Sequence, residues 1–290
     1  MRKREPCVPE FGLHQYGTDA IEQLTVALRP CSRIVAITGA GVSTDSGIPD
    51  YRDAEGNWKR RAPVQFRDFV EKNHVRRRYW ARSMSGWPAF QAARPSATHH
   101  ALVALENTGC LSAVVTQNVD DLHRRAGSRR IVDLHGRLSR VRCLACGRGS
   151  SRERLQRVLI ERNGGFDGHT VSLAPDGDAD LKNADYSEFV VPECVRCGGM
   201  LKPDVTFYGE TIPPPRTHQA EAAVGTADLV LVIGSSLMVF SAYRLVRNAA
   251  RAGIPVVALN LGRTRADDLL SRKIRAPAGE VVPELVRALC

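Results

Sequence analysis

Short, nearly unbroken runs of aliphatic and β-branched residues punctuate this chain, and between them apolar positions recur at helical spacing. Residues 34–37 (Ile34-Val35-Ala36-Ile37), 111–116, 131–134, 228–233 and 255–259 have the length and composition of strands buried on both faces. Residues 19–28 place Ile21, Leu24 and Leu28 on one helical face and stop before Pro30. Further helices are predicted over 95–106, 121–126, 239–252 and 281–289, with Gly127 and Gly253 closing the second and third. Residues 57–90, rich in Arg and aromatics, read as helices on loops that leave the main sheet and cover its ligand. Residues 164–180 are Gly- and Asp-rich and predict a loop, and 202–210 predict an extended segment. Strands alternating with helices in this way indicate an α/β fold, a doubly wound parallel sheet of Rossmann-like type.

The predicted strands end on small or polar residues. These are Gly39-Ala40-Gly41, Gln117-Asn118-Val119-Asp120, Gly234-Ser235-Ser236 and Asn260-Leu261-Gly262. In open α/β sheets the carboxyl edge of the strands is where ligands bind. Backbone N–H groups of Gly and Ser suit phosphates, and Asn260 suits a ribose or base edge. Gly39-x-Gly41 alone is a weak dinucleotide signal, and the next glycine arrives only at Gly47, away from the hydride-transfer spacing. The long polar loop that follows, with Asp45, Ile48, Pro49, Asp50, Tyr51 and Arg52, is suited to handling more of a nucleotide than its pyrophosphate. One predicted strand delivers His135, the histidine best placed to act as a general base. His14, His74, His169 and His218 read as structural.

A length of 290 residues suits about two domains. The formal charge of +10 favours anionic partners. No basic block is interleaved with aromatics, which argues against direct nucleic-acid binding. No run of 18 apolar residues exists, so no membrane partner is expected. The first residues, MRKREPCVPEF, are basic without an apolar stretch behind them, which points to a cytoplasmic protein. Asp176, Asp178 and Asp180 are spaced like calcium ligands, but the glycine and distal glutamate of an EF-hand are missing.

Of the eight cysteines, four form two knuckles, Cys143-x-x-Cys146-Gly147 and Cys194-x-x-Cys197-Gly198. Two such pairs flanking a loop-rich insert predict one structural zinc ion held by four thiolates, with no open position for chemistry. A redox dithiol and a nucleic-acid-gripping zinc ribbon are the competing readings. Cys7, Cys31, Cys110 and Cys290 read as buried or inert thiols.

The run GAGVSTDSGIPDYRD resembles the signature of the sirtuins, NAD-dependent protein deacylases. Thr116-Gln117-Asn118-Val119-Asp120, Leu134-His135-Gly136, both cysteine pairs, Lys202-Pro203-Asp204-Val205, Gly234-Ser235-Ser236 and Asn260 follow in sirtuin order. The resemblance spans residues 12–289. Its details are most similar to the sirtuin-4 branch (class II): Arg78-Tyr79-Trp80-Ala81-Arg82, Gly86-Trp87-Pro88, the run LAPDGD at 173–178 and the run TRADDL at 264–269. It implies a discontinuous NAD-binding domain (12–56, 95–136 and 202–290) with a smaller zinc-binding/helical domain inserted, made of a helical cover module (57–94) and a structural zinc module (137–201).

The resemblance further implies roles for the residues above. NAD lies across the strand ends, with its nicotinamide beside Ile48, Asn118 and Asp120, and Arg52 contacts phosphate or the attacking water. Ala278 offers its backbone N–H to adenine. His135 is the general base, and the products are nicotinamide, free lysine and O-acyl-ADP-ribose. An acyl-lysine protein substrate pairs through its backbone with Val205, Thr206, Phe207 and Tyr208 on one side and with Leu237, Val239 and Phe240 on the other. Tyr79-x-x-Arg82 has the spacing that relatives use to hold an acyl carboxylate, so acidic or bulky acyl groups are expected beside acetyl; packing of the helical cover is the competing role. Protein mono-ADP-ribosyl transfer would use the same NAD site and is the first rival function. The second is a non-enzymatic NAD sensor or zinc-ribbon nucleic-acid binder, which would need no base at His135.

Overall fold

The computed structural model describes residues 18–59, 63–166, 170–174, 176–181 and 184–289. His14, His169, Cys7 and Cys290 lie outside them. In chain order, α1 (Thr18–Leu28) leads into β1 (Ile34–Thr38). Helices α2 (Phe66–Glu71), α3 (Asn73–Ala92) and α4 (Ala97–Asn107) precede β2 (Leu111–Thr116). Then come α5 (Leu122–Ala126), β3 (Ile131–Asp133), β4 (Gly136–Cys143), β5 (Gly149–Ser151) and α6 (Arg152–Arg162). Strands β6 (Thr170–Leu173), β7 (Ala179–Leu181) and β8 (Leu201–Val205) follow. The chain closes through α7 (Pro214–Gly225), β9 (Leu229–Ile233), α8 (Phe240–Arg251), β10 (Val256–Leu259), β11 (Arg272–Ile274) and α9 (Ala278–Leu289).

Six strands form one parallel sheet in the order β11-β10-β9-β1-β2-β3. Strands β1, β9 and β10 are buried along their whole length because both faces are covered. The period of two divides the strand residues cleanly. Ile34, Ala36, Leu229, Leu231 and Val257 meet Leu24, Leu102 and Leu285 of α1, α4 and α9. Val35, Ile37, Val230, Val232 and Val256 meet Val224 of α7 and Leu245 and Val246 of α8. From β1 the chain winds outward to β2 and β3, then returns to the opposite side of β1 as β9. The switch in strand order therefore falls between β1 and β9, and their ends are level, with Thr38 paired to both Ile233 and Thr116.

The smaller part of the molecule joins the helical cover and the cysteine-bearing segment, in keeping with one smaller zinc-binding/helical domain inserted in the larger. Phe69 of α2 and Tyr79, Trp80 and Met84 of α3 share one core with Val141 of β4, Leu155 and Leu159 of α6, and Phe189. The helical cover and the cysteine-bearing segment thus pack as one body. The first residues after 201 also belong here, because β8 pairs antiparallel with β4, which pairs with β5 on its other edge. Residues 164–180, expected as loop, include an antiparallel hairpin in which β6 pairs with β7. Its turn uses Gly177 at φ 76°, so the Gly and Asp composition marks the bend and hides two short strands beside it. Among the described residues no helix is long and apolar enough to cross a membrane.

Candidate active site

The two strands at the switch point approach closely because their loops lack side chains. Gly39 N donates to Ile233 O at 3.1 Å and Gly41 N to Gly234 O at 2.9 Å. A Cβ on Gly41 would lie 2.8 Å from the Gly234 Cα, and one on Gly39 would lie 2.8 Å from the Gly234 carbonyl oxygen. Gly234 itself sits at φ 58°. Above this crossing opens a cavity of 680 Å³, within the range of cofactor pockets. Gly39, Ala40 and Gly41 line it with Gln117, Asn118, His135 and the Gly234-Ser235-Ser236 turn. The ends of four parallel strands therefore meet in one space, and its glycine-lined floor fits the phosphates of a dinucleotide.

Hydrogen bonds tie these ends together. The Ser43 hydroxyl donates to Asp120 Oδ2 at 2.7 Å and accepts from Asn118 Nδ2 at 3.0 Å. Asn118 Nδ2 also donates to Gly39 O at 3.0 Å, and Gln117 Nε2 to Ser235 Oγ at 2.7 Å. Asp120 is buried behind Ser43 rather than on the cavity wall, and burial pushes its carboxyl pKa up. A second buried layer supports the first. Thr38 Oγ1 lies 2.8 Å from His123 Nε2, whose ring is 4.6 Å from that of His99. Ser96 N donates to His99 Nδ1, and Ser96 Oγ donates to Val42 O, so this layer holds the glycine loop from below.

His135 is half-buried in the cavity wall. Its Nδ1 lies 3.0 Å from the Gln117 carbonyl oxygen, which can only accept, so Nδ1 carries the proton. The lone pair of the neutral ring is therefore on Nε2, 2.8 Å from Ser241 Oγ. Burial lowers the pKa to about 4, with the Arg216 cation adding to the effect. A neutral imidazole with an oriented lone pair is what a general base requires. Gly136 follows at φ 88°, where a Cβ would run into the Asp204 backbone, so the turn after His135 needs glycine.

The polar loop closes one side. Asp45, Asp50, Tyr51 and Arg52 line the cavity, whereas Pro49 is off its wall and Ile48 is buried among Trp87, Phe90 and Leu122. Arg52 donates to Gly56 O at 2.6 Å and stacks 3.9 Å above Trp58, and Lys59 pairs with Asp50 at 2.5 Å. Gly262 allows the turn after β10 to pass against Ala54, whose carbonyl accepts from Arg263 N at 2.8 Å. Asn260, Leu261, Gly262 and Ala278, the first residue of α9, complete that end.

Of the residues expected to meet an acyl-peptide, Val205, Thr206, Phe207, Tyr208, Val239, Phe240 and Tyr79 line the cavity. Leu237 is buried at φ 54°, its N–H donating to Ser235 Oγ, and it supports the turn from behind. Arg82 is not brought to the wall. Its guanidinium donates to Ala179 O and Asp180 Oδ1, each at 2.8 Å, and it braces the β6–β7 hairpin. Asp176 lies on the wall instead, near Tyr51, Tyr79 and Tyr208. The expected Tyr79 and Arg82 pair does not converge on one ligand position.

At the far end of β4 the four sulfurs of Cys143, Cys146, Cys194 and Cys197 lie within 4.8 Å of one another. Cys143 Sγ is 3.6 Å from Cys197 Sγ, and Cys146 Sγ is 3.8 Å from Cys194 Sγ. Those separations are far beyond a disulfide and match the edges of a tetrahedron with Zn–S bonds of about 2.3 Å. Gly147 and Gly198, at φ 72° and 67°, turn each knuckle. The donor set fits one structural zinc ion.

Sequence reading missed Ser43, Thr38, the His99–His123 layer, Asp176 and Ser241. Ser43 stands inside the glycine signature and was open to notice. The others touch the site only through tertiary contacts.

Comparison with known proteins agrees with this geometry. A profile described as the Sir2 family matches residues 39–241. The chain is 54% identical over 254 residues, 88% of its length and 93% of the relative's, to an NAD-dependent protein deacetylase of Bordetella bronchiseptica. Among solved structures, a crystal structure of a Sir2 homolog–NAD complex has TM-score 0.73 at 29% identity, covering 96% of each chain. A Sir2–p53 peptide–NAD+ structure has TM-score 0.71 at 29% identity, covering 88% of this chain and 92% of that one.

Proposed function

This chain belongs to the Sir2 family, and from that membership we infer that it is an NAD-dependent protein deacetylase. The observation that carries the reading is His135, a neutral imidazole with its lone pair on Nε2, standing in a glycine-floored cavity at the switch point of the sheet. When bound, NAD supplies a ribosyl carbon activated by nicotinamide as leaving group. Gly39, Gly41, Gly234 and Ser235 would receive its phosphates, and Asn260 and Ala278 its adenosine end. Asn118, held by Ser43 and Gly39 O, would orient the carboxamide, with Ile48 and Asp120 behind it. His135 accepts a proton at Nε2 from a ribose hydroxyl. A substrate strand carrying acyl-lysine would run between Val205–Tyr208 and Leu237–Phe240, reading backbone more than sequence. The zinc site has no part in the chemistry, because four thiolates leave it closed. Free lysine, nicotinamide and O-acyl-ADP-ribose are the products this reading requires.

Two finer points belong to the same proposal. The Arg78–Arg82 run and the LAPDGD and TRADDL runs support a place near the sirtuin-4 branch (class II). Breadth beyond acetyl is supported by Tyr79 in the wall, but Arg82 would have to leave Asp180 before it met an acyl carboxylate. Mass spectrometry of NAD with acetyl-, propionyl-, succinyl-, glutaryl- and lipoyl-lysine peptides tests the whole reading. Acetyl turnover with one O-acyl-ADP-ribose per nicotinamide is expected. ADP-ribose attached to protein, with no deacylated peptide, would replace it with ADP-ribosyl transfer. For breadth, Asp180→Asn should raise succinyl over acetyl turnover and Arg82→Ala should lower it; no change in either ratio removes Arg82 from the pocket.

A further inference from the structure

The contact between His135 and Ser241 goes beyond the role given to His135 alone. Ser241 is the second residue of α8, and its hydroxyl reaches across 106 positions of chain to Nε2 at 2.8 Å. With Nδ1–H committed to the Gln117 carbonyl, Nε2 has only its lone pair to offer, so in the neutral state Ser241 must be the donor. The imidazole is then held at both nitrogens. A ring bonded only through Nδ1 can still pivot about that bond; a second bond at Nε2 fixes its plane. Burial and the Arg216 cation both disfavour imidazolium. Ser241 lines the same cavity as His135, so its hydroxyl holds the one Nε2 lone pair at the cavity wall until a substrate hydroxyl displaces it.

We propose that Ser241 is a positioning residue for the general base: with the Nδ1–H tautomer set by the Gln117 carbonyl, its hydroxyl fixes the ring plane of His135 with Nε2 at the cavity. For the substrate hydroxyl to give its proton to the single Nε2 lone pair, the Ser241 hydroxyl leaves that lone pair and the substrate hydroxyl takes its place. No bond to Ser241 is made or broken. The catalytic consequence depends on the deacetylase reading above, whereas the placement of the ring does not.

The test has two arms. In the first, nitrogen NMR of the ligand-free protein follows the two ring nitrogens of His135 in the wild type, Ser241→Ala and Ser241→Thr. The wild type and Ser241→Thr should show one Nδ1–H tautomer with a hydrogen-bonded Nε2, and Ser241→Ala should lose the Nε2 shift characteristic of that bond. In the second, deacetylation and nicotinamide exchange are measured together. Ser241→Ala should slow deacetylation about tenfold, the worth of one hydrogen bond, leave exchange and the KM for NAD within about twofold, and be rescued by Ser241→Thr. An unchanged Nε2 resonance in Ser241→Ala overturns the proposal. So does an equal fall in exchange and deacetylation accompanied by a lower Tm, which would mark Ser241 as a packing residue. A wild type inactive on acetyl peptides would sink the deacetylase reading while the NMR arm still judged the placement of the ring.

Discussion

Ser43 donates its hydroxyl to Asp120 across 2.7 Å and so joins the loop after β1 to the loop after β2. The same oxygen accepts from Asn118, so one hydroxyl sets two of the residues proposed to surround nicotinamide. Ser43→Ala should leave the Asp120 carboxyl group short of a donor and the Asn118 amide held by Gly39 O alone. A lost hydrogen bond to a buried charged group is worth about 1.5–3 kcal/mol. We therefore expect the KM for NAD to rise about tenfold or more while Tm falls by a few degrees, measured by steady-state kinetics and thermal unfolding.

The glycine crossing between β1 and β9 leaves no room for a methyl group. At Gly41 a Cβ would lie 2.8 Å from the Gly234 Cα, and both groups are backbone, so neither can rotate away. Gly41→Ala should abolish measurable NAD binding in calorimetry. Gly165→Ala, where a Cβ meets nothing within 4 Å, should bind as the wild type does.

His99 and His123 make the fold acid-sensitive from within. Burial lowers His99 to about 2 and His123 to about 4 from the ordinary 6.5. His99 Nε2 and His123 Nδ1 have no protein partner among the described residues. The unfolded chain thus binds protons that the folded one refuses. Their stabilising contribution is complete above pH 6.5 and is lost as pH falls toward the folded values. For His123 alone the loss by pH 4 is roughly 3 kcal/mol. Urea midpoints should drop between pH 6.5 and 4, and His123→Gln should flatten that slope; an unchanged slope would remove His123 from the account.

Zinc reaches the base through one ladder. Strand β4 begins at Gly136, next to His135, and ends at Cys143; its partner β8 runs from Leu201, opposite Cys143, to Val205, opposite Gly136. Thr206 N donates to His135 O at 2.8 Å just beyond that end. Removing the metal with a strong chelator should free about one zinc per chain, loosen this ladder and abolish activity without displacing a metal from the reaction. Activity that survives full zinc loss would disconnect the two sites.

Features set by local composition are legible in the sequence without tertiary contacts. Residues 34–38 and 229–233 are short, largely apolar and followed directly by glycine, so their burial and their place at a ligand edge follow from local composition. The cysteine knuckles are equally local. The hairpin at 170–181 escaped because its glycines and aspartates dominate two strands of 4 and 3 residues. The resting place of Arg82 was hidden for a different reason. Its spacing from Tyr79 suggests a shared ligand, but its partner, Asp180, stands 98 positions away and no local pattern announces it. Ser241 was invisible for the same cause, since it stands 106 positions from His135 and only the tertiary fold brings the two together.

The most direct measurement is nicotinamide release and deacetylated peptide, followed together for the wild type and His135→Ala with an acetyl-lysine peptide. The account predicts equimolar, NAD-dependent release of both by the wild type, and deacetylation at least a hundredfold slower in His135→Ala with NAD still bound. Deacetylation by His135→Ala at the wild-type rate would contradict it.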